Sequence, residues 1–198
     1  GVVYVLDLGH APWSDLRMGD AAAYDAWARE IAGGNWIGNE VFYQAPLYPY
    51  FLGIVYRLLG TDLLGVRLLQ VLLGALSAVL LARAGERIFN ARTGLVAGAL
   101  LAIYPPAVFS YGLLQKSVLD LFFVSAILCL VAGLVAEARK AGPEAGVPGW
   151  RWPLLGAAVG GLMLTRENAA VVLGSLVVWT LVHREFAGRR LRVAGLLL

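Results

Sequence analysis

The sequence predicts an all-α membrane protein, a polytopic transmembrane helical bundle with an extracytoplasmic first loop that carries short interfacial helices. Three observations predict it. The chain is 60% apolar, with a mean hydropathy of +0.73, against roughly 45–50% apolar residues in a soluble domain. Apolar stretches follow one another at 71–82, 95–109, 121–136, 153–164 and 169–182, several of them close to the roughly 20 residues that cross a hydrocarbon core. The charges are also sorted between segments. Arg83, Arg87, Arg92, Arg139, Lys140, Arg151, Arg184, Arg189, Arg190 and Arg192 lie in three connecting segments, with only Glu86, Glu137, Glu144 and Glu185 among them. The remaining segments are acidic on balance. By the positive-inside rule the three basic segments are cytoplasmic, which explains the net charge of +3 without a nucleic-acid partner.

The elements follow in order. Residues 1–9 read as the end of a span or as a short extracytoplasmic strand. A helix is expected over 20–32, with Asp20 as its N-cap and Asp25 in or near the first turns, where carboxylates suit the helix dipole. Ala23, Trp27 and Ile31 form one stripe, flanked by Tyr24 and Ala28, as in a helix lying flat at a membrane interface. Gly33-Gly34 ends it. Trp36, Phe42, Tyr43, Tyr48, Tyr50, Phe51 and Tyr56 make an aromatic belt suited to the headgroup level.

Spans are expected at 63–84, 94–110, 117–138, 152–165 and 168–183, with Pro105-Pro106 at the outer end of the second. Residues 141–149 read as a flexible linker. The 152–165 segment would reach only about 21 Å, less than a bilayer. A shallow hairpin is therefore expected, its tip at Thr165-Arg166-Glu167-Asn168 below the outer surface. One continuous helix over 152–183 would bury Arg166 and Glu167 in mid-membrane. An ionisable residue at such depth faces protein or water and is a functional candidate. The organisation is thus a loop region, 1–62, and a bundle, 63–198, of what reads as a piece of a longer chain, with 192–198 opening a new apolar run.

Other chemistries find no support in the residue pattern. Cys129 is the only cysteine and lies within a span, so no internal disulfide forms. His10 and His183 fall on opposite faces, and no His, Cys and acid grouping suggests a metal. No Gly-rich phosphate loop follows a strand, which argues against a nucleotide-sugar donor on a soluble domain.

Asp20-x-x-x-Tyr24, Trp27-Ala28-x-Glu30-Ile31, Gly34-x-Trp36 and Phe42-Tyr43-Gln44-Ala45-Pro46-Leu47-Tyr48-Pro49 together resemble the first extracytoplasmic loop of GT-C integral-membrane glycosyltransferases. The likeness is to the protein O-mannosyltransferases and the lipid A aminoarabinose transferases. It continues through Gly65-x-Arg67, the paired prolines and Leu164-Thr165-Arg166-x-Asn168. The resemblance implies inverting transfer of a sugar from a polyprenyl-phosphate carrier to a protein, lipid or glycan acceptor at the outer face of the membrane, and the richness in Leu, Ala, Gly and Arg suggests a bacterial inner membrane. The resemblance also implies membrane lipids as surroundings and no cofactor beyond the lipid-linked donor, and it does not imply a divalent metal.

The same resemblance makes Asp20 the general base, which takes the proton of the attacking hydroxyl. It places Arg166 against the carrier phosphate, which a guanidinium can grip through two hydrogen bonds. Lys116 is a second phosphate candidate, and Asp25, Tyr24 and Tyr48 are further substrate-binding candidates. The chain departs from the pattern at Ala21, where those families have a second acid, and this moves weight onto Asp25.

Structural alternatives stand beside each assignment. Asp20 alone could be a helix cap, and Asp25 a solvated first-turn acid. Arg166 could pair with Glu167 or another intramembrane acid. Lys116 could snorkel to the interface, or pair at i,i+4 with Asp120. Tyr48 and Tyr50 could be interfacial anchors, and Arg67 could serve either purpose. At the level of the whole chain, the alternatives are a transporter or lipid flippase with Arg166 in a midplane site, and a non-catalytic envelope-assembly scaffold.

Overall fold

In the computed structural model, residues 1–12, 17–37, 44–141 and 149–182 are described, and all their regular structure is helical. Phe42, Tyr43, Glu144, His183 and the basic residues from Arg184 onward lie outside them, as does most of the expected linker. The helices are α1 Val2–Leu8, α2 Asp20–Ala32, α3 Leu47–Leu59, α4 Leu63–Ile88, α5 Ala91–Ile103, α6 Pro105–Ser110, α7 Ser117–Ala141, α8 Arg151–Met163 and α9 Ala170–Val182. A 3₁₀ turn, Glu167–Ala169, precedes α9.

The centre is α4 and α7, which are long and apolar enough to cross a membrane. Asp62 caps α4 by accepting the Leu64 amide at 3.2 Å, which satisfies one of the orphan donors of the first turn. Along α4, Val66, Gln70, Gly74 and Ser77 are buried, while Leu68, Leu72, Leu76 and Val79 stay exposed. An apolar stripe of this kind is stable against lipid rather than water. The chain is an integral membrane protein.

Asn90 turns the chain into α5 by accepting the Thr93 amide at 2.9 Å. Gly94 and Gly98 then let α5 lie directly on α4. A Cβ at Gly98 would come within 2.7 Å of the Ala78 carbonyl oxygen, and one at Gly94 would run into the Ala82 carbonyl oxygen. Small residues four apart permit this backbone approach between membrane helices. The expected span 94–110 is not one helix. It breaks at Tyr104, whose backbone is extended. Pro105 then starts α6 at the first helical position, where its missing N–H costs nothing.

Three further expectations change. Residues 1–9 form no strand; α1 is a short helix with Val5 packed against Ala107, Tyr111 and Val118. The helix over 20–32 has the predicted bounds, but its buried face is Tyr24, Asp25, Ala28 and Ile31, and Ala23 is exposed. The reason is α3, which the aromatic belt concealed. The two helices pack so closely at Gly53 that a Cβ there would meet Ile31 Cγ2 at 2.7 Å. Helix α2 thus has a protein partner on the face that would otherwise rest on the interface.

The break between α8 and α9 is as expected. Arg166 is extended, with φ −140° and ψ 118°, and the Thr165 hydroxyl turns back to the Leu162 carbonyl at 2.8 Å. Val172, Leu173, Leu176 and Trp179 of α9 pack on the core formed by Leu134 of α7 and Trp152, Leu155, Val159 and Leu162 of α8. The segment folds back as a hairpin, and a continuous helix over 152–183 is ruled out.

Candidate functional site

Four chain interruptions meet at one end of α7. They are the start of α2 at Asp20, the approach to α3 at Gln44 and Ala45, the turn before α7 at Lys116, and the hairpin tip at Arg166. A backbone hydrogen bond from the Leu47 amide to the Leu164 carbonyl, 3.0 Å, fastens the second of these to the fourth. Between them lies a cavity of 380 Å³ lined by Gln44, Ala45, Lys116, Arg166, Glu167 and Asn168.

A buried hydrogen-bonded network begins three residues beyond Ala45. Tyr48 is fully buried with Leu52 and Val66, and its hydroxyl donates to Gln70 Oε1 at 2.8 Å. The Gln70 amide donates in turn to the carbonyls of Tyr111, 2.8 Å, and Leu113, 3.0 Å. Arg67 Nε donates to the Gly112 carbonyl at 3.1 Å. These bonds satisfy the carbonyls of a turn buried without regular structure. They hold Lys116, at the end of that turn, in place. Tyr48 and Arg67 therefore serve the scaffold, and Tyr48 presents no surface to a substrate. Tyr50 is a belt residue, its hydroxyl donating to the Trp36 carbonyl and its ring against Trp27 and Trp36.

Asp20 does not cap α2. Gly19 does, with φ 57°, leaving Asp20 as the first helical residue. Its carboxylate instead reaches across to Gln44, accepting from Nε2 at 2.9 Å. It is exposed and bonded to Gln44, which lines the cavity.

Asp25 is a different kind of acid. It is buried on the α3 side, where it accepts from Tyr56 Oη at 2.5 Å and Arg29 Nε at 2.9 Å, with Arg17 at 3.1 Å. Neither the solvated first-turn role nor contact with the cavity fits this position. Burial pushes its carboxyl up. The hydrogen bonds from Arg29 and Tyr56 and the charges of Arg17 and Arg29 outweigh that, and hold it below the usual carboxylate range. The folded-state value thus lies below the unfolded one. The stability Asp25 contributes is full above the unfolded value and is lost as pH falls through the folded one. Thermal unfolding midpoints of the wild type should accordingly hold from neutral pH down to the ordinary carboxylate range and drop below it. Asp25→Asn should start lower at neutral pH and lose less on acidification.

At the hairpin tip, Arg166 Nε donates to Asp120 Oδ2 at 2.5 Å. The pairing expected for Asp120 with Lys116 is not formed, because Asp120 turns toward the tip. Lys116 has no ion-pair or hydrogen-bond partner among the described residues for its ammonium. Arg166 is about half exposed in its side chain, Asp120 only 12%. Tyr24, 2% exposed, stands beside this pair. Burial first, then the negative charges of Asp20 and Asp120, push its phenol above the ordinary value, with Arg166 opposing. The group therefore remains a hydroxyl. Of the expected site residues, Lys116 and Arg166 line the cavity, Asp20 bonds to the lining residue Gln44, and Tyr24 feels the charges of Asp20, Asp120 and Arg166; Asp25 and Tyr48 have their partners elsewhere.

Gln44, Asp120, Glu167 and Asn168 complete the site. Gln44 was visible only as part of a motif, and Asp120 only as a charge one turn inside a span. Toward the far end of α7, Arg151 pairs with Glu137, and at the middle of the helix Arg87 donates to the Cys129 carbonyl at 3.0 Å. Among the described residues, Arg139 and Lys140 close the end of α7 opposite the one that Lys116 precedes.

The family model described as dolichyl-phosphate-mannose-protein mannosyltransferase matches residues 43–198. The chain belongs to this family. Membership implies a glycosyltransferase that uses a sugar carried on a lipid phosphate. Gln44, Lys116, Asp120 and Arg166 lie within the matched residues, whereas Asp20 and Tyr24 precede them. No curated protein and no solved structure matches the chain.

Proposed function

We propose that the cavity is the reaction centre of an inverting glycosyltransferase, which moves a sugar from a polyprenyl-phosphate carrier to an acceptor hydroxyl at the outer face of the membrane. The observation that carries this reading is the division of charge around one cavity. A carboxylate, Asp20, stands at one wall through Gln44, and two cations, Lys116 and Arg166, stand at another. Asp20 takes the proton of the hydroxyl as its oxygen attacks the anomeric carbon. The bond from that carbon to the phosphate oxygen breaks, and the electron pair leaves with the lipid phosphate. Lys116 and the guanidinium of Arg166 stabilise the charge that develops there.

Direct displacement by the acceptor inverts the anomeric centre. The loop region, 1–62, lies on the extracytoplasmic side together with the cavity, and the basic ends of α4, α7 and α8 lie in the cytoplasm. A carrier in the bilayer reaches a site at this level without leaving lipid.

The test uses the purified chain in lipid nanodiscs, given dolichyl-phosphate mannose of defined anomeric configuration and hydroxyl acceptors of peptide and lipid type. Transfer with the opposite configuration in the product, read by NMR, is the expected result. Retention of configuration would exclude a single displacement with Asp20 as base. Absence of both transfer and carrier binding would exclude the reaction centre.

A further inference from the structure

Three buried side-chain atoms have no hydrogen-bond partner among the described residues: Gln44 Oε1, on a residue that lines the cavity; Asp120 Oδ1, on the partner of the lining Arg166; and Tyr24 Oη, on a phenol within reach of the charges of Asp20, Asp120 and Arg166. Buried polar atoms are rarely left so, and a group of them around one opening marks a place for a ligand. Their chemistry is specific. Asp20 is an acceptor only, so the Gln44 nitrogen must face it, and the Gln44 oxygen points elsewhere. Asp120 gives Oδ2 to Arg166 and keeps Oδ1 in reserve. The group therefore offers two acceptors and one hydroxyl that can donate or accept.

We propose that these three atoms form a recognition subsite for the hydroxyl groups of the transferred sugar, with Asp120 dividing its oxygens between Arg166 and the ligand. The proposal rests on the transferase reading and adds what the cavity selects. The cations hold the phosphate, and the acceptor-rich group beside them holds the sugar. Sugar hydroxyls donate to Gln44 Oε1 and Asp120 Oδ1, while Tyr24 completes the contact. A sugar bearing a carboxylate is excluded, because it would set negative charge against two acceptors. Asp120 also acts as a positioning residue, since its bond to Nε leaves the terminal nitrogens of Arg166 for the phosphate.

Tyr24→Phe is the informative variant, because it removes the unpaired oxygen and little else. Binding to the whole protein in nanodiscs is measured for dolichyl-phosphate mannose and for dolichyl phosphate. The wild type should bind the mannosylated lipid more tightly. Tyr24→Phe should weaken that lipid about tenfold, the loss of one buried hydrogen bond, and change the bare lipid by less than about twofold. The thermal midpoint of the ligand-free variant should hold or rise. Asp120→Asn keeps an acceptor for Arg166 but turns the reserved oxygen into a donor, and should show the same selective loss.

Equal losses for the two lipids, no loss for either, or a lowered midpoint in Tyr24→Phe would each overturn the subsite. Failure of the transferase reading looks different, because the wild type would then ignore both lipids. Failure of the subsite alone leaves bare-lipid binding intact and Tyr24→Phe as selective as the wild type.

Discussion

Asp20→Asn should lower kcat for sugar transfer by about 10²–10⁴-fold, the usual share of a general base, while carrier affinity stays within about twofold of the wild type. The substitution is well suited to the site. Asn keeps an oxygen that can accept from Gln44 Nε2, now bonded to Asp20 at 2.9 Å. The tie from α2 to the residues before α3 survives, and α2 loses no cap, because Gly19 rather than Asp20 occupies that position. What disappears is the ability to take a proton. Glu167 is the natural control, since its carboxylate also lines the cavity. If Glu167→Gln stops transfer and Asp20→Asn does not, the base is at the hairpin tip and the assignment of Asp20 is wrong.

The global outline was legible because it depends on composition. Long apolar runs and sorted charges suffice to predict α4 and α7, and Gly33-Gly34 to end α2. The α8–α9 break was legible from arithmetic, since the 14 residues of 152–165 are too few to cross and the charged pair Arg166-Glu167 follows. What escaped depended on partners. Helix α3 was hidden because Leu47–Leu59 is rich in aromatics, which suit a headgroup belt as well as a packed helix. The stripe on α2 was displaced because Asp25 turns inward to Arg17, Arg29 and Tyr56. Local pattern counts a carboxylate as surface even with Arg29 at i+4, and only the place of Tyr56 on α3, 31 positions away, could have reversed that. Asp120 shows the same limit. Its i,i+4 neighbour Lys116 is the obvious partner along one helix, yet a residue 46 positions away binds it. The family resemblance pointed to Asp20, Lys116 and Arg166 as candidates, but not to Gln44 and Asp120 as the partners of the first and the last.

That pairing governs the expected result for Arg166→Leu. Carrier affinity should fall about 10–100-fold, the worth of charge-assisted bonds to a phosphate, and acceptor affinity much less. The variant should also be less stable, because it strands Asp120, whose side chain is only 12% exposed and whose Oδ1 already lacks a partner. Removing the half-exposed Arg166 leaves a mostly buried carboxylate without its partner, at a cost below that of breaking a fully buried pair, so loss of affinity alone would not separate binding from folding. Adding Asp120→Asn to Arg166→Leu removes the stranded charge. The double variant should recover most of the thermal midpoint, measured in nanodiscs, and none of the affinity for dolichyl phosphate. Arg166→Lys should stand between, since it retains the charge but loses the planar fork. Recovery of carrier affinity together with stability in the double variant would mean that Arg166 only neutralises Asp120. The phosphate would then have to be held by Lys116, which would leave the hairpin tip a structural closure of the cavity.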